Sequence, residues 1–221
     1  DPVDDFRDTN PPSIPQLLDA LASELRTNGM RLKPLVALIA KSRVYQLSAT
    51  PTPENREDLA NFSHASVRLV PAEVLLDAIS QVLGVTQRNP NAPRSIRATQ
   101  FPGVRTGNPF LQIFGKPERL LTCECERSEA TTLAQAFQMI NGDSVREKLR
   151  SPKNRIAGFV AQNEDDADSL QELYLSALCR PPTKEERTAM LAHLRKSSDR
   201  RAAWEDISWA ILNSKEFLLR H

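Results

Sequence analysis

Two thiols, two carboxylates and a guanidinium fall in five consecutive positions at Cys123-Glu124-Cys125-Glu126-Arg127. No other stretch is so dense in reactive groups. A disulfide between Cys123 and Cys125 is strained, because side chains two apart on extended chain point to the same side from Cα atoms set too far apart. Three chemistries remain. Buried thiols beside a Glu–Arg network are structural. A thiolate or redox role has Arg127 and a following helix N-terminus to lower a thiol pKa, against Glu124 and Glu126, which raise it. As metal ligands, Cys123 and Cys125 make half a site and need partners from elsewhere. Cys179, on an apolar helix face, reads as a small core residue.

Glu73 and Asp77 form a second constellation, four apart on one helical face. Like charges at that spacing repel by a few tenths of a kcal/mol unless a cation lies between them, and Arg68, Arg119 and Arg127 are the candidates. An ion network is the structural reading. Paired carboxylates for acid–base or metal work are the catalytic one. Of the histidines, His193 lies on an exposed helix side, His221 is terminal, and His64 alone is placed to join a site. Nucleophile-elbow, phosphate-loop and dinucleotide fingerprints are absent. So are zinc C-x-x-C spacings and the C-x-x-C-H haem attachment, so no cofactor is expected, and a metal at Cys123 and Cys125 is the less favoured reading. Trp204 and Trp209, the two tryptophans, are the stacking platforms open to a carbohydrate-binding reading, on a helix expected to bury at least one.

The elements that position these groups are helical. Ile14, Leu17, Leu18, Leu21, Ala22 and Leu25 make one stripe, with Ser13 as N-cap, Pro15 in the first turn and Asn28-Gly29 as the stop. A second helix from about Lys33 to Tyr45 turns Leu35, Leu38 and Ile39 inward and pairs with the first as a hairpin. Helix resumes near Phe62, is kinked at Pro71, and carries Val74, Leu75, Ala78, Ile79 and Val82 to a stop at Gly84. Residues 85–120 lack a clean period and hold repeated prolines. Phe101, Phe110, Leu111, Ile113 and Phe114 argue that this insertion packs, with a short strand pair open there. Thr131–Ile140 reads as a helix with Leu133, Ala136, Phe137 and Ile140 inward. Asp143 or Ser144 caps the next, to Leu149, and Ile156–Gln162 adds a turn or two. Asn163-Glu164-Asp165-Asp166 is an acidic helix lead-in rather than a calcium loop. Three helices close the chain, at Leu170–Cys179, Lys184–Lys196 (capping box Thr183-Lys184-Glu185-Glu186) and Ala202–Asn213. The fold expected is all-α, a bundle of roughly eight helices with one long proline-rich irregular insertion. It is taken as a single domain over 1–221, with lobes at 1–84 and 131–221 joined by 85–130.

The balance of 29 basic and 28 acidic side chains gives no global field to recruit nucleic acid or an anionic membrane. Nor does any apolar run approach the ~20 residues of a membrane span. The chain opens on Asp1-Pro2-Val3 without an initiating Met or signal peptide, and reads as a processed or excised piece of something longer.

The order of motifs is more specific than any one of them. Asp1-Pro2-Val3-Asp4-Asp5-Phe6-Arg7, Leu32-Lys33-Pro34-Leu35 through Ser42-Arg43-Val44-Tyr45-Gln46, and Pro71-Ala72-Glu73-Val74-Leu75-Leu76-Asp77 come first. Phe114-Gly115-Lys116-Pro117-Glu118-Arg119, the cysteine stretch, Arg180-Pro181-Pro182-Thr183 and Leu212-Asn213-Ser214-Lys215-Glu216-Phe217 follow. Together they resemble the domain of unknown function 1553, from large planctomycete proteins that often also carry a c-type cytochrome domain. The resemblance spans essentially the whole chain. Cys123 and Cys125 match its pattern, whereas Cys179 stands where a Ser or similar residue is expected, and the family's first helix lies upstream of Asp1. The resemblance implies an extracytoplasmic multidomain protein and supplies no catalytic residues. The reading favoured is therefore a helical structural or interaction module, more an interaction partner than an enzyme. Its partners would be other domains of the same polypeptide or an unknown protein. Glu73, Asp77, Arg119, Cys123, Cys125, Glu126 and Arg127 would form a polar hub pinning the 85–120 insertion. The alternative is a metal- or thiol-dependent enzyme or redox domain using Cys123, Cys125, Glu73 and Asp77, linked to a cytochrome or to polysaccharide breakdown.

Overall fold

The computed structural model describes residues 7–58, 61–85, 96–101, 108–116, 132–161 and 165–220. It is predominantly helical, and its Cα packing falls into two units that divide between Arg68 and Leu69.

The first unit holds α1 (Pro15–Thr27) and α2 (Leu32–Lys41), packed against each other as a hairpin. Pro15 occupies the first helical position, where its missing N–H is no loss, but the N-cap is Ile14 rather than Ser13, and it makes no side-chain cap. The connection turns because Gly29 and Met30 both take positive φ, and Met30 N–H returns to the Leu25 carbonyl (2.9 Å). No residue of either helix is buried. Beyond Thr50-Pro51-Thr52-Pro53, side chains close the loop on itself. Asn55 accepts from the Thr52 N–H (2.7 Å) and donates to the Ser63 carbonyl (3.1 Å), and Asp58 accepts from the Asn61 N–H (2.8 Å). The helix expected from Phe62 is not formed. Phe62 sits at φ 54°, and the chain runs extended into the two-residue strand β1 (Arg68–Leu69). A proline at 71 disfavours helical backbone just before it, and Pro71 instead serves as N-cap of the next helix.

The second unit contains the hydrophobic core, and its axis is α3 (Ala72–Leu83). Leu75, Leu76, Ile79, Val82 and Leu83 are all at most 2% exposed, so α3 is apolar over most of its girth, whereas Val74 faces out. Gly84 ends it at φ 66°. Arg155 then donates Nε–H to the Val82 carbonyl (2.8 Å), placing a cation on the negative end of the helix dipole. Around α3 lie a 3₁₀ turn (Ala98–Gln100), α4 (Pro109–Ile113), α6 (Asp143–Arg150), α7 (Arg155–Ala161) and α8 (Asp166–Leu178). The described parts of the proline-rich insertion do pack: Phe101, Phe110, Leu111 and Phe114 are buried, with Phe110 stacked on Phe114 at 4.4 Å. The secondary structure of these described parts is the 3₁₀ turn and α4, with no strand among them.

The remaining helices are α5 (Leu133–Asn141), α9 (Lys184–Lys196), α10 (Arg200–Leu212) and the single turn α11 (Lys215–Leu218). After α11 comes the strand β2 (Leu219–Arg220), and within the second unit the Val70 N–H donates to the Leu218 carbonyl (3.0 Å). Trp204, fully buried, packs against Phe159 at 5.0 Å. Ile207, Ile211 and Leu212 face inward with it, as their spacing predicts.

Three orientations correct the sequence reading. Leu38 and Ile39 of α2, expected inward, are 47% and 37% exposed. Cys179 is exposed rather than core: it is the C-cap of α8 at φ 55°, which swings its side chain off the apolar face. Helix α5 is turned over. Leu133, Phe137 and Ile140 are 72%, 62% and 53% exposed, while Gln135 and Met139 are buried. Gln135 can be inside because its carbonyl accepts the Thr132 N–H in a capping box and its amide donates to the Ile113 carbonyl (3.1 Å). The next helix is capped by Gly142, not by Asp143 or Ser144.

Candidate functional site

Of the expected polar hub, Arg119, Cys123, Cys125, Glu126 and Arg127 lie outside the described residues, as does Glu124. Glu73 and Asp77 lie within them. Glu73 is buried in the first turn of α3, where the helix dipole favours a carboxylate. Asp77, one turn on, is taken up by backbone. Its Oδ1 accepts the Ala98 N–H (2.7 Å), and its Oδ2 accepts the Thr99 N–H (3.1 Å) and hydroxyl (3.0 Å). A carboxylate from one helix thus closes the N-terminus of the 3₁₀ turn, and its lone pairs are spent on amides rather than held for proton transfer. Asp77 therefore joins α3 to the 3₁₀ turn. Lys148 of α6 adds a cation near Asp77, and its own burial pushes the ammonium down to about 8, against the pull of Glu147 and Asp77.

The densest charged cluster among the described residues was not singled out by sequence. Arg180, in the loop after α8, sits between Glu186 of α9 and Glu216 of α11. Its Nη1 and Nη2 meet the two Glu186 oxygens at 2.8 and 2.9 Å, its Nε and Nη2 meet those of Glu216 at 2.7 Å each, and Nη1 also donates to the Pro181 carbonyl at 3.1 Å. All five guanidinium N–H donors are used. Glu186 also takes the Thr183 N–H (2.7 Å) in the capping box of α9. The Arg180 hydrogen bonds to Glu186 and Glu216 hold the guanidinium above its ordinary pKa, and the bond to Arg180 pulls Glu186 down to about 2. Beneath them lies the Tyr174 ring, 5.6 Å from the guanidinium carbon. An arginine saturated in this way cannot bind a substrate anion; it clasps three elements. The capping box was the readable half of this cluster, and the Glu216 arm, 36 residues away, carried no local signal.

The other candidates stand apart. His64 Nδ1 lies 3.2 Å from the adjacent Ala65 carbonyl in the first unit. His193 Nε2 is 3.2 Å from Asp206 Oδ2 on the surface, and His221 lies outside the described residues. Of the acidic lead-in, Asn163 and Glu164 lie outside the described residues, while Asp165 caps α8 and Asp166 pairs with Arg200 (2.6 Å). Trp204 is sealed, whereas Trp209 is 38% exposed and donates its indole N–H to the Ile140 carbonyl (3.0 Å). Beside it is a shallow depression of about 160 Å³ between α6 and α10. Among the described residues no three His, Cys, Asp or Glu side chains gather closely enough to hold a metal ion. Nor is any helix there long and apolar enough to cross a membrane.

No curated protein and no solved structure matches the chain. A family model does, over residues 1–194, under the description "PSD1: Protein of unknown function (DUF1553)". With most of its length inside that match, the chain belongs to this family.

Proposed function

We propose that the chain is a helical interaction module of a larger extracytoplasmic multidomain protein, without chemistry of its own, and that the α1–α2 hairpin is the surface it offers to another domain of the same polypeptide. The observation that carries this is the hairpin's exposure. Ile14, Leu17, Leu18, Leu32, Val36, Leu38 and Ile39 are each between 37% and 66% exposed, on helices whose apolar residues keep helical spacing. Helices of 13 and 10 residues are marginal in water by themselves, and they persist by burying such a stripe against something. The extracytoplasmic setting rests on the family resemblance.

The test is hydrogen exchange across Leu17–Leu25 and Leu35–Ile39, in this chain alone and in the parent polypeptide. These amides are expected to exchange fast in the chain alone and to become protected in the parent. Equal, fast exchange in both would overturn the hairpin's role. A native mass that carries a metal, lost on denaturation, would overturn the claim of no chemistry and turn attention to Cys123 and Cys125.

A further inference from the structure

We infer that the outward face of α5, with the adjoining α6–α10 groove, is where a second copy of this chain docks. This goes beyond the hairpin reading and uses only residues of the second unit.

The starting point is the inversion of α5. Leu133, Phe137 and Ile140 follow one another at i, i+4 and i+7 on the solvent side, and Trp209 joins them through its hydrogen bond to Ile140. One helix face thus leaves three large apolar side chains in solvent, beside a partly exposed indole, and large exposed apolar patches mark interaction sites. Scattered exposed leucines need no explanation, but an entire stripe with a tryptophan at its end does.

The occupant is chosen by the groove's charges. Its floor is Ile140, Val145, Leu149 and Trp209; α6 supplies Arg146 and Arg150 along one edge, and α10 supplies Glu205 and Asp206 along the other. Arg146 and Asp206 have exposed intrachain partners in Asp143 and His193, pairs of little strength that exchange readily; Glu205 is held part-buried by Arg201, so Asp206 is the exposed acid of that edge. A face with an apolar centre, one basic edge and one acidic edge is complementary to itself. A two-fold axis running along the groove sets each basic edge against the partner's acidic edge and apolar centre against apolar centre. An axis across the groove would set like charges together. Two-fold pairing of one patch with itself is the commonest way homo-oligomers form. The face is small for an obligate interface, so the dimer is expected to be weak, assembling in the micromolar range.

Sedimentation velocity of the full chain from about 1 to 200 µM tests this across the weak-interface range. The expected result is a concentration-dependent shift from the 24.7 kDa monomer toward twice that mass. Phe137→Asp, on an exposed position that the fold does not need, should abolish the shift while leaving the circular dichroism unchanged. Arg150→Glu and Asp206→Lys should each weaken association about tenfold, and the double variant should restore it, because only a self-complementary face recovers when both edges are reversed. A monomer at every concentration would overturn the inference. So would a dimer indifferent to Phe137→Asp. If that dimer were instead abolished by Leu18→Asp, association would belong to the hairpin and the α5 face would be excluded.

Discussion

Replacing Arg180 by alanine is the perturbation that most directly tests how the C-terminal helices are held. The side chain is about a third exposed, and so are Glu186 and Glu216, at 32%, 30% and 37% respectively. Truncation removes five hydrogen bonds, uncovers the Tyr174 ring and leaves two carboxylates facing one another without their shared cation. The depression of Glu186 from 4.5 to about 2 would nominally correspond to ~3 kcal/mol. At this exposure solvent screening reduces that to roughly 1–2 kcal/mol. The uncovered ring adds about 0.5–1 kcal/mol, so the total expected is about 2 kcal/mol.

Urea unfolding followed by tryptophan fluorescence reads this well, since Trp204 and Trp209 both belong to the second unit. Arg180→Lys should recover less than half of the loss, because an ammonium cannot present a planar fork to two carboxylates at once. The pH dependence follows from the sign of the Glu186 shift. Its folded pKa is depressed, so its contribution is complete above about 4.5 and is lost as pH falls toward about 2. The wild type should therefore lose about 1–2 kcal/mol more than Arg180→Ala across that window. If Arg180→Ala unfolds within 0.5 kcal/mol of wild type at pH 7, or if the two proteins show the same acid slope, the cluster is a surface feature and the clasp argument fails.

Other expectations are as direct. Asp77→Ala should cost about 1–2 kcal/mol through the lost cap and speed hydrogen exchange at Ala98–Phe101; unchanged exchange there would detach the 3₁₀ turn from α3. Gly142→Ala should destabilise by about 2–3 kcal/mol, because an added Cβ would lie 2.3 Å from the Gln138 carbonyl oxygen, a backbone atom with little room to move; a variant melting with wild type would contradict that geometry. Lys148 has a folded pKa lowered to about 8 from 10.5, so the unfolded chain binds the extra proton in between and stability should rise with pH across that interval. Lys148→Met should remove the rise and be neutral or stabilising at pH 7, as pH-resolved unfolding would show.

Where local signals were strong, the sequence was legible to the residue. The Thr183–Glu186 capping box placed α9 at Lys184–Lys196, and Gly84 stopped α3 as expected. Weaker punctuation misled: a serine at 13 looked like a cap but lies one residue too early, and a run from Phe62 looked helical but is extended ahead of Pro71, which disfavours helix at the residue before it. The candidate site was legible only as a list of residue types. Asp77 was named only as a member of a polar hub; its partners are backbone amides 21 and 22 positions away, and no side-chain pattern announces those.

Helix α5 shows why the rest was hidden. Its apolar period was read correctly, since Leu133, Phe137 and Ile140 do share one face. Periodicity says which residues lie together, not which side faces the core, and the choice is made by whether the polar face can satisfy its groups when buried. Gln135 does so, through its cap to Thr132 and its donation to Ile113, and Met139 beside it fills the space against the core. The stripe left outside is then open to a surface beyond the core.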